Sequence, residues 1–382
     1  MTAPRGDAVA LTRELVRVDS RNPSLVGGAP GEERVATVLA TTLRAWGLPA
    51  QGVEAAPGRP NVIAMIRGSG GGRPLLFNGH LDVVGTEGMT HPPFDAFERD
   101  GRIYGRGACD MKGGVAAMCA AAARLKGKLR GDLIVAAVAD EEWRSAGTSA
   151  LLASGVRADA AIVTEPTGLR IMPAHKGFVW IEVRVIGKAA HGSRWDIGVD
   201  AIRHAGLLLA ELDRVDSDDL PRRTHALLGR PSLHASEVAG GLGLSTYPDR
   251  CVVKIERRTI PGETVDDARH EIDAACASVR ARRSDFRAEV QVSFAQPPSD
   301  VATDAPVVRV LADALRAHGL SAEPAGMSAW TDAALFNAAG IPAICFGPGD
   351  MGLAHAAEEY IESREVEQAT DVLESFAQAW CH

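Results

Sequence analysis

The stretch that most limits what this chain can become is LIVAAVADEE, Leu133 to Glu142. An unbroken apolar run of this kind reads as a strand buried on both faces, the sort found inside a parallel sheet. It ends abruptly in three adjacent carboxylates, Asp140, Glu141 and Glu142. Like charges this close raise one another's pKa. Either the three splay into water at a loop, or a strong cation holds them.

Other short apolar runs share the texture: NVIAMI (61–66), PLLFNGH (74–80) and AAIVTE (160–165), with IPAICFG (341–347) near the C-terminus. Between them lie helical patterns. Residues 32–46 repeat apolar side chains at Val35, Val38, Leu39, Leu43 and Trp46, and an Ala-rich helix is predicted over 113–127. Strands alternating with helices predict an α/β domain with a mostly parallel sheet. The Gly-rich GSGGGR (68–73) reads as a turn, because no helix start follows it.

The middle of the chain differs. FVWIEVRVIG (178–187) alternates as a half-exposed antiparallel strand would. A helix is expected at about 198–213, strands at 232–239 and 250–258, a helix at about 264–283, and a strand at 287–294. The order β-α-β-β-α-β is the ferredoxin-like arrangement. The expected division is therefore a catalytic domain of residues 1–175 and 296–382, with residues 176–295 inserted as an α+β domain. A chain of 382 residues suits two such domains.

Composition removes several classes of function. With a net charge of −8, neither nucleic acid nor an anionic membrane is the natural partner. No apolar stretch approaches the roughly 20 residues of a membrane span, and the N-terminus lacks a signal-peptide pattern. Six scattered cysteines form no C-x-x-C pair, which argues against a thiolate metal site or a disulfide framework. The expectation is a soluble, cytoplasmic protein.

Chemistry concentrates where the predicted strands end, the edge at which open α/β sheets bind ligands. His80 and Asp82 follow one strand, Glu141 and Glu142 another, and Glu165 a third; Asp110 and His355 stand in loops. Taken singly, each has a bland reading. His80 would be a hydrogen-bonded core histidine, Asp110 the N-cap of the helix that follows, and the glutamates a solvated loop. Together they leave clustered carboxylates without compensation. Mixed His and carboxylate donors suit zinc, with cobalt or manganese possible. A pair of such ions about 3.5–4 Å apart would serve hydrolysis.

The segments GHLDVV, GRGACDMKGG, ADEEWRSAG, TEP, GKAAHGS, ERRTIPGE and FGPG…AH occur in this order along the chain. They resemble the successive signatures of the M20 metallopeptidase family, in particular its acetylornithine deacetylase and succinyl-diaminopimelate desuccinylase branch. The resemblance implies a zinc-peptidase-like catalytic domain with a lid domain that also dimerises. It implies two zinc ions bridged by Asp110, with His80 and Glu165 completing one site and Glu142 and His355 the other. It makes Glu141 the general base, Asp82 the partner that orients His80, and a cis peptide the bond after Asp110. It makes His191 an oxyanion donor to a neighbouring active site and Arg258 the grip on a substrate carboxylate, while Arg257 lies on the opposite strand face. One position departs: where many members carry Asn, this chain has Ser245, which offers fewer hydrogen bonds.

The implied reaction is hydrolysis of the amide of an N-acyl amino acid by a homodimer. The alternative is a dizinc carboxypeptidase or dipeptidase acting on short peptides. Rivals from other classes are a metal-free binding relative, a nucleotide-binding enzyme using the Gly-rich loop at 104–114, and a thiol hydrolase built on Cys109.

Overall fold

The computed structural model describes residues 2–382. The chain divides into two compact units. One comprises the stretch up to Pro173 with Val301–Ala325 and Thr331–His382, and the other Ala174–Asp300 with Gly326–Trp330. The expected cuts after 175 and 295 lie within a few residues of these. The expectation had no place for Gly326–Trp330, which joins the second unit because the short strand Gly326–Met327 pairs in parallel with Ala174–His175.

The first unit is built on a six-stranded sheet in the order Ala50–Ala56, Arg59–Ile66, Leu133–Val138, Leu75–His80, Ala160–Val163, Ala343–Cys345. Its inner pairings are parallel, and Arg59–Ile66 joins antiparallel. The strands Leu75–His80, Leu133–Val138 and Ala160–Val163 are buried at every residue, as continuous apolar runs require. The strand Ala50–Ala56 has no counterpart in the sequence reading. It is an edge strand with a mostly exposed AQGVEAA sequence, so neither an apolar run nor an alternation marks it.

The helix Gly113–Leu125 is buried almost throughout, as a helix apolar on all sides must be. Its small residues allow close approach: a Cβ at Gly114 would meet the Thr164 carbonyl oxygen at 1.9 Å. The C-terminal strand Tyr360–Glu362 pairs with Arg102–Tyr104, which draws the segment after His355 beside the loop that carries Asp110.

The second unit is a four-stranded antiparallel sheet in the order Ser232–Gly240, Arg250–Thr259, Gly177–Ile186, Arg287–Gln296. The helices Ala201–Arg214 and Val265–Arg282 complete the ferredoxin-like β-α-β-β-α-β path. Alternate residues Val179, Ile181, Val183 and Val185 enter its core with Leu208, Val253, Ile272 and Phe286. The helix Val265–Arg282 opens on a capping box in which Thr264 and Asp267 exchange hydrogen bonds.

Candidate metal centre

The three adjacent carboxylates Asp140, Glu141 and Glu142 part company. Asp140, at φ 67°, turns inward, where its Oδ1 accepts from Arg59 at 3.0 Å and from Asn22 Nδ2 at 3.1 Å. Glu141 and Glu142 turn toward His80. Donor atoms of His80, Asp110 and Glu142 lie within 4.8 Å of one another, and so do those of His80, Glu141 and Glu165. His355 joins the first group, with Nε2 3.1 Å from Glu142 Oε1 and 3.4 Å from Asp110 Oδ2. Six residues separated by as many as 275 positions thus converge at the C-terminal edge of the sheet, five offered by sequence as ligands and one as a base.

Each is positioned by identifiable local structure. His80 closes its strand, and Nδ1 lies 2.9 Å from the Asp82 carbonyl oxygen. A carbonyl only accepts, so Nδ1 carries the proton and Nε2, 3.0 Å from Asp110 Oδ1, is left for a ligand. The sequence expected the Asp82 carboxylate to orient the imidazole. Instead the carbonyl makes that contact, and the carboxylate stands 3.7 Å away. The carboxylate accepts the backbone N–H groups of Glu141 and Glu142, both at 3.1 Å. Asp110 is not a helix cap: its φ of −119° and ψ of 96° leave it outside the helix, its carboxylate faces the two histidines, and the Asp110–Met111 peptide is cis.

Sequence reasoning missed a second set of residues. Glu359 is fully buried, and its Oε1 accepts the N–H groups of Cys109 at 3.0 Å and Asp110 at 3.2 Å. Its other oxygen pairs with the buried Arg106, which also donates to the carbonyls of Ala356 and His355. Burial pushes the Glu359 carboxyl up to about 7 against the pull of Arg106. This brace ties the loop of Asp110 to the loop of His355. The signal available was the acidic pair Glu358-Glu359 directly before an alternating strand. Lys112, buried with Nζ 2.9 Å from the Val18 carbonyl, is pushed down to about 7 by its desolvation.

The electrostatics ask for positive charge. Burial first, and then the neighbouring carboxylates, hold Glu141 and Glu165 well above the usual carboxylate range, and Glu142 above it. Burial opposes charge on Asp110 too, yet His355 and His80 keep its carboxyl well below that range. Burial would disfavour protonated imidazoles, but Asp110 outweighs it and raises both His80 and His355. A buried crowd of acids that draws both its histidines toward the cationic form is a site short of positive charge. Hard carboxylate oxygens with two imidazoles are the donor set that divalent zinc, cobalt or manganese accepts, so the residues fit such ions.

The remaining expected residues lie in the second unit. Arg257 is buried between Glu263 and Glu271, as its opposite strand face requires. Arg258 donates to Glu256 at 3.2 Å and to the Ser328 carbonyl at 2.7 Å. His191 is exposed, with Nδ1 2.9 Å from Ser193 Oγ. Gly192 donates to the Ser245 carbonyl at 2.7 Å, so Ser245 and His191 belong to one pair of loops although 54 residues separate them. Cys109 is buried, and desolvation holds its thiol well above the usual range, which argues against a thiolate nucleophile there. All six cysteines are buried and free, and no described helix is long and apolar enough to cross a membrane.

Known proteins match this chain along most of its length. Residues 76–379 fit the model of peptidase family M20/M25/M40. Acetylornithine deacetylase of Myxococcus xanthus is 32% identical over 326 residues, covering 84% of each chain. A tripeptidase structure from Staphylococcus aureus superimposes with a TM-score of 0.82 at 21% identity, covering 100% of both chains. A dinuclear metal-binding M20 peptidase from Bacillus subtilis gives 0.72 at 16%, covering 98% of this chain and 97% of that one. The last two likenesses carry the fold, and the first with the family match carries descent: the chain belongs to peptidase family M20/M25/M40 and is a hydrolase of that family.

Proposed function

We propose that this hydrolase is a deacylase that cleaves the amide bond of N-acyl amino acids, in the manner of acetylornithine deacetylase. The observation that carries the reading is the convergence of His80, Asp110, Glu142, Glu165 and His355 at one edge, with Glu141 beside His80 and Glu165, in a chain 32% identical to a protein of that name. In this reading His80, Glu165 and Asp110 would hold one ion, and Glu142, His355 and the same Asp110 would hold the other. Two divalent ions, zinc first and cobalt or manganese as alternatives, would supply Lewis-acid polarisation of the acyl carbonyl and lower the pKa of water.

Glu141 is the proton carrier. Its carboxyl is raised first by burial and then by Glu165, which brings a carboxylate toward the range where a general base works near neutral pH. As water adds to the acyl carbon, Glu141 takes its proton. It returns the proton to the amide nitrogen as the C–N bond breaks, giving a free carboxylate and an amine. On the family resemblance, His191 donates to the developing oxyanion and Arg258 grips the substrate carboxylate through its fork of N–H groups. Ser245 would supply a hydroxyl contact where relatives use an amide.

The same resemblance assigns dimerisation to the second unit. Its edge strand Ser232–Gly240 leaves Val238 60% exposed, and the loop beyond leaves Leu244 109% exposed, a surface suited to a second copy. Cleavage of short peptides is the alternative, since the fold is shared with a tripeptidase. The discriminating experiment is amine release by zinc-reconstituted protein across N-acetyl and N-succinyl amino acids and dipeptides. Zinc-dependent release from the acyl amino acids is the expected result, while activity confined to dipeptides would overturn the deacylase reading in favour of the peptidase one.

A further inference from the structure

The segment Ala139–Glu142 carries both catalytic glutamates, yet it belongs to no helix or strand. Its four successive N–H groups are nevertheless all taken. Ala139 donates to Asn61 Oδ1 at 3.0 Å, Asp140 to Glu32 Oε1 at 3.1 Å, and Glu141 and Glu142 to the two oxygens of Asp82 at 3.1 Å. The acceptors are interior groups, with Glu32 and Asp82 0% exposed and Asn61 2%. A surface loop satisfies such donors with water; here they are held by side chains sent in from three other places in the chain.

The cradle has an electrostatic problem. Glu32, Asp82 and Asp140 are three buried carboxylates, and the guanidinium of Arg59 pairs with Glu32 and Asp140. Asp82, which holds both glutamate N–H groups, is not reached by that fork. Asn22 makes the link. Its Nδ2 donates to Asp82 Oδ2 at 2.8 Å and to Asp140 Oδ1 at 3.1 Å, which uses both amide hydrogens. Asn22 is itself fixed: it is fully buried, its N–H donates to the Val83 carbonyl at 2.9 Å, and its Oδ1 accepts from Ser24 at 2.9 Å. A neutral donor satisfies two carboxylates without adding a cation that would pull Glu141 and Glu142 away from the site.

We infer that Asn22 is a positioning residue of the reaction: its amide locks Asp82 to Asp140 and thereby fixes where Glu141 and Glu142 point. The inference rests on the roles proposed above for those two glutamates. Its energetic leverage comes from geometry, since ligands and bases must be held within about 0.5 Å of their working positions, and a shift of about 1 Å costs on the order of 10²-fold.

The test is Asn22→Leu, which keeps the branched side-chain shape and removes all three side-chain hydrogen bonds, the two to the carboxylates and the one from Ser24. Asn22→Ser, which keeps one donor, is made beside it. Each is measured by calorimetric titration of the metal-stripped protein with zinc, by kcat and KM on an N-acetyl amino acid, and by thermal midpoint. The expected result is selective. The zinc step that depends on Glu142 weakens by about 10–100-fold while the other is retained, kcat falls by a similar factor at unchanged KM, and Asn22→Ser lies between. Folded Asn22→Leu protein with both zinc steps and kcat at wild-type values would overturn the inference. A lowered midpoint with those values intact would do the same, since it would leave Asn22 a purely structural role. Should the Leu variant not fold, the Ser variant decides by the same criteria. The zinc titration needs no substrate, so wild-type protein that binds zinc but releases no amine sinks the deacylase reading alone. Wild-type protein that takes up no zinc overturns both.

Discussion

Two of the loops that carry the chemistry proposed for this chain are built in opposite ways. Residues 139–142 hang from buried side-chain oxygens, each N–H held by a carboxylate or amide that is itself tied down. Residues 191–197 are exposed throughout, with Trp195 80% accessible, and are held by backbone bonds to a neighbouring loop: Gly192 to Ser245 and Tyr247 to Ala190. The first construction suits groups that must not move while charge is handled. The second suits a loop whose partner comes from outside its own fold. The difference teaches that precision here comes from buried polar cross-links, and that secondary structure serves mainly to bring the cross-linking residues within reach.

The largest effect should come from the inner loop. Glu141→Gln keeps the shape and removes the proton carrier, so kcat should fall by about 10²–10⁴-fold with both ions retained. Because Glu141 is one of several buried acids that repel one another, the variant should be no less stable than the parent. Kinetics with metal analysis and a melting curve check both statements. A variant that keeps its turnover would remove Glu141 from the mechanism, and one that loses its ions would make it a ligand instead.

Next comes the brace on the other side of the site. Glu359→Leu strands Arg106 in the interior without its carboxylate and strips the N–H groups of Cys109 and Asp110 of their acceptor. Removing one partner of a buried pair costs about 3–5 kcal/mol, and Glu359→Gln, which retains an acceptor, should cost less. Denaturant unfolding measures the difference. A loss within experimental error would mean that the two loops of the site are held by something other than Arg106 and Glu359.

How much of this was legible beforehand follows from physical range. Strands buried on both faces announce themselves as apolar runs, so the sheet and the residues at its edge, His80, Glu141, Glu142 and Glu165, could be read directly. The ferredoxin-like path was readable from alternation at 178–187 and helical spacing beyond it. The cradle was not. Nothing about Asn22, Glu32, Arg59 or Asn61 singles them out locally, because their value lies in acceptors and donors 27 to 118 residues away. Asp82 was found but its task was not: a carboxylate two residues from a histidine suggests an orienting pair, whereas only the folded chain brings the N–H groups of Glu141 and Glu142 to it. The edge strand Ala50–Ala56 escaped because an exposed strand needs no apolar pattern.

Removing the metal should separate the two loops dynamically. With zinc at about 100 times its dissociation constant, the holo protein gains about 2.7 kcal/mol over the stripped one. That protection belongs to the site. Hydrogen exchange at Asp110, Glu141 and Glu142 should quicken when zinc is chelated, while Gly192 and Arg194 exchange at the same rate with and without it. Equal acceleration of both sets would show that the outer loop depends on the metal site and would erase the contrast drawn between them.

The smallest effect tests the outer loop alone. Within its own loop His191 Nδ1 meets Ser193 Oγ at 2.9 Å on an exposed surface, beside a longer contact from the Ser193 N–H at 3.3 Å. Ser193→Ala deletes the hydroxyl contact and leaves the backbone one. Exposed substitutions of this kind usually change stability by no more than about 0.5 kcal/mol, so the melting curve should hardly move. The kinetic consequence separates two ways of placing an oxyanion donor. If His191 finds its working position by docking against a partner, the local contact is dispensable and kcat should change by about two-fold or less, which is the same 0.5 kcal/mol read as a rate. If kcat falls as far as for His191→Ala, the serine is setting the imidazole in advance. The outer loop would then be preorganised after all, by one exposed hydrogen bond where the inner loop uses a buried network.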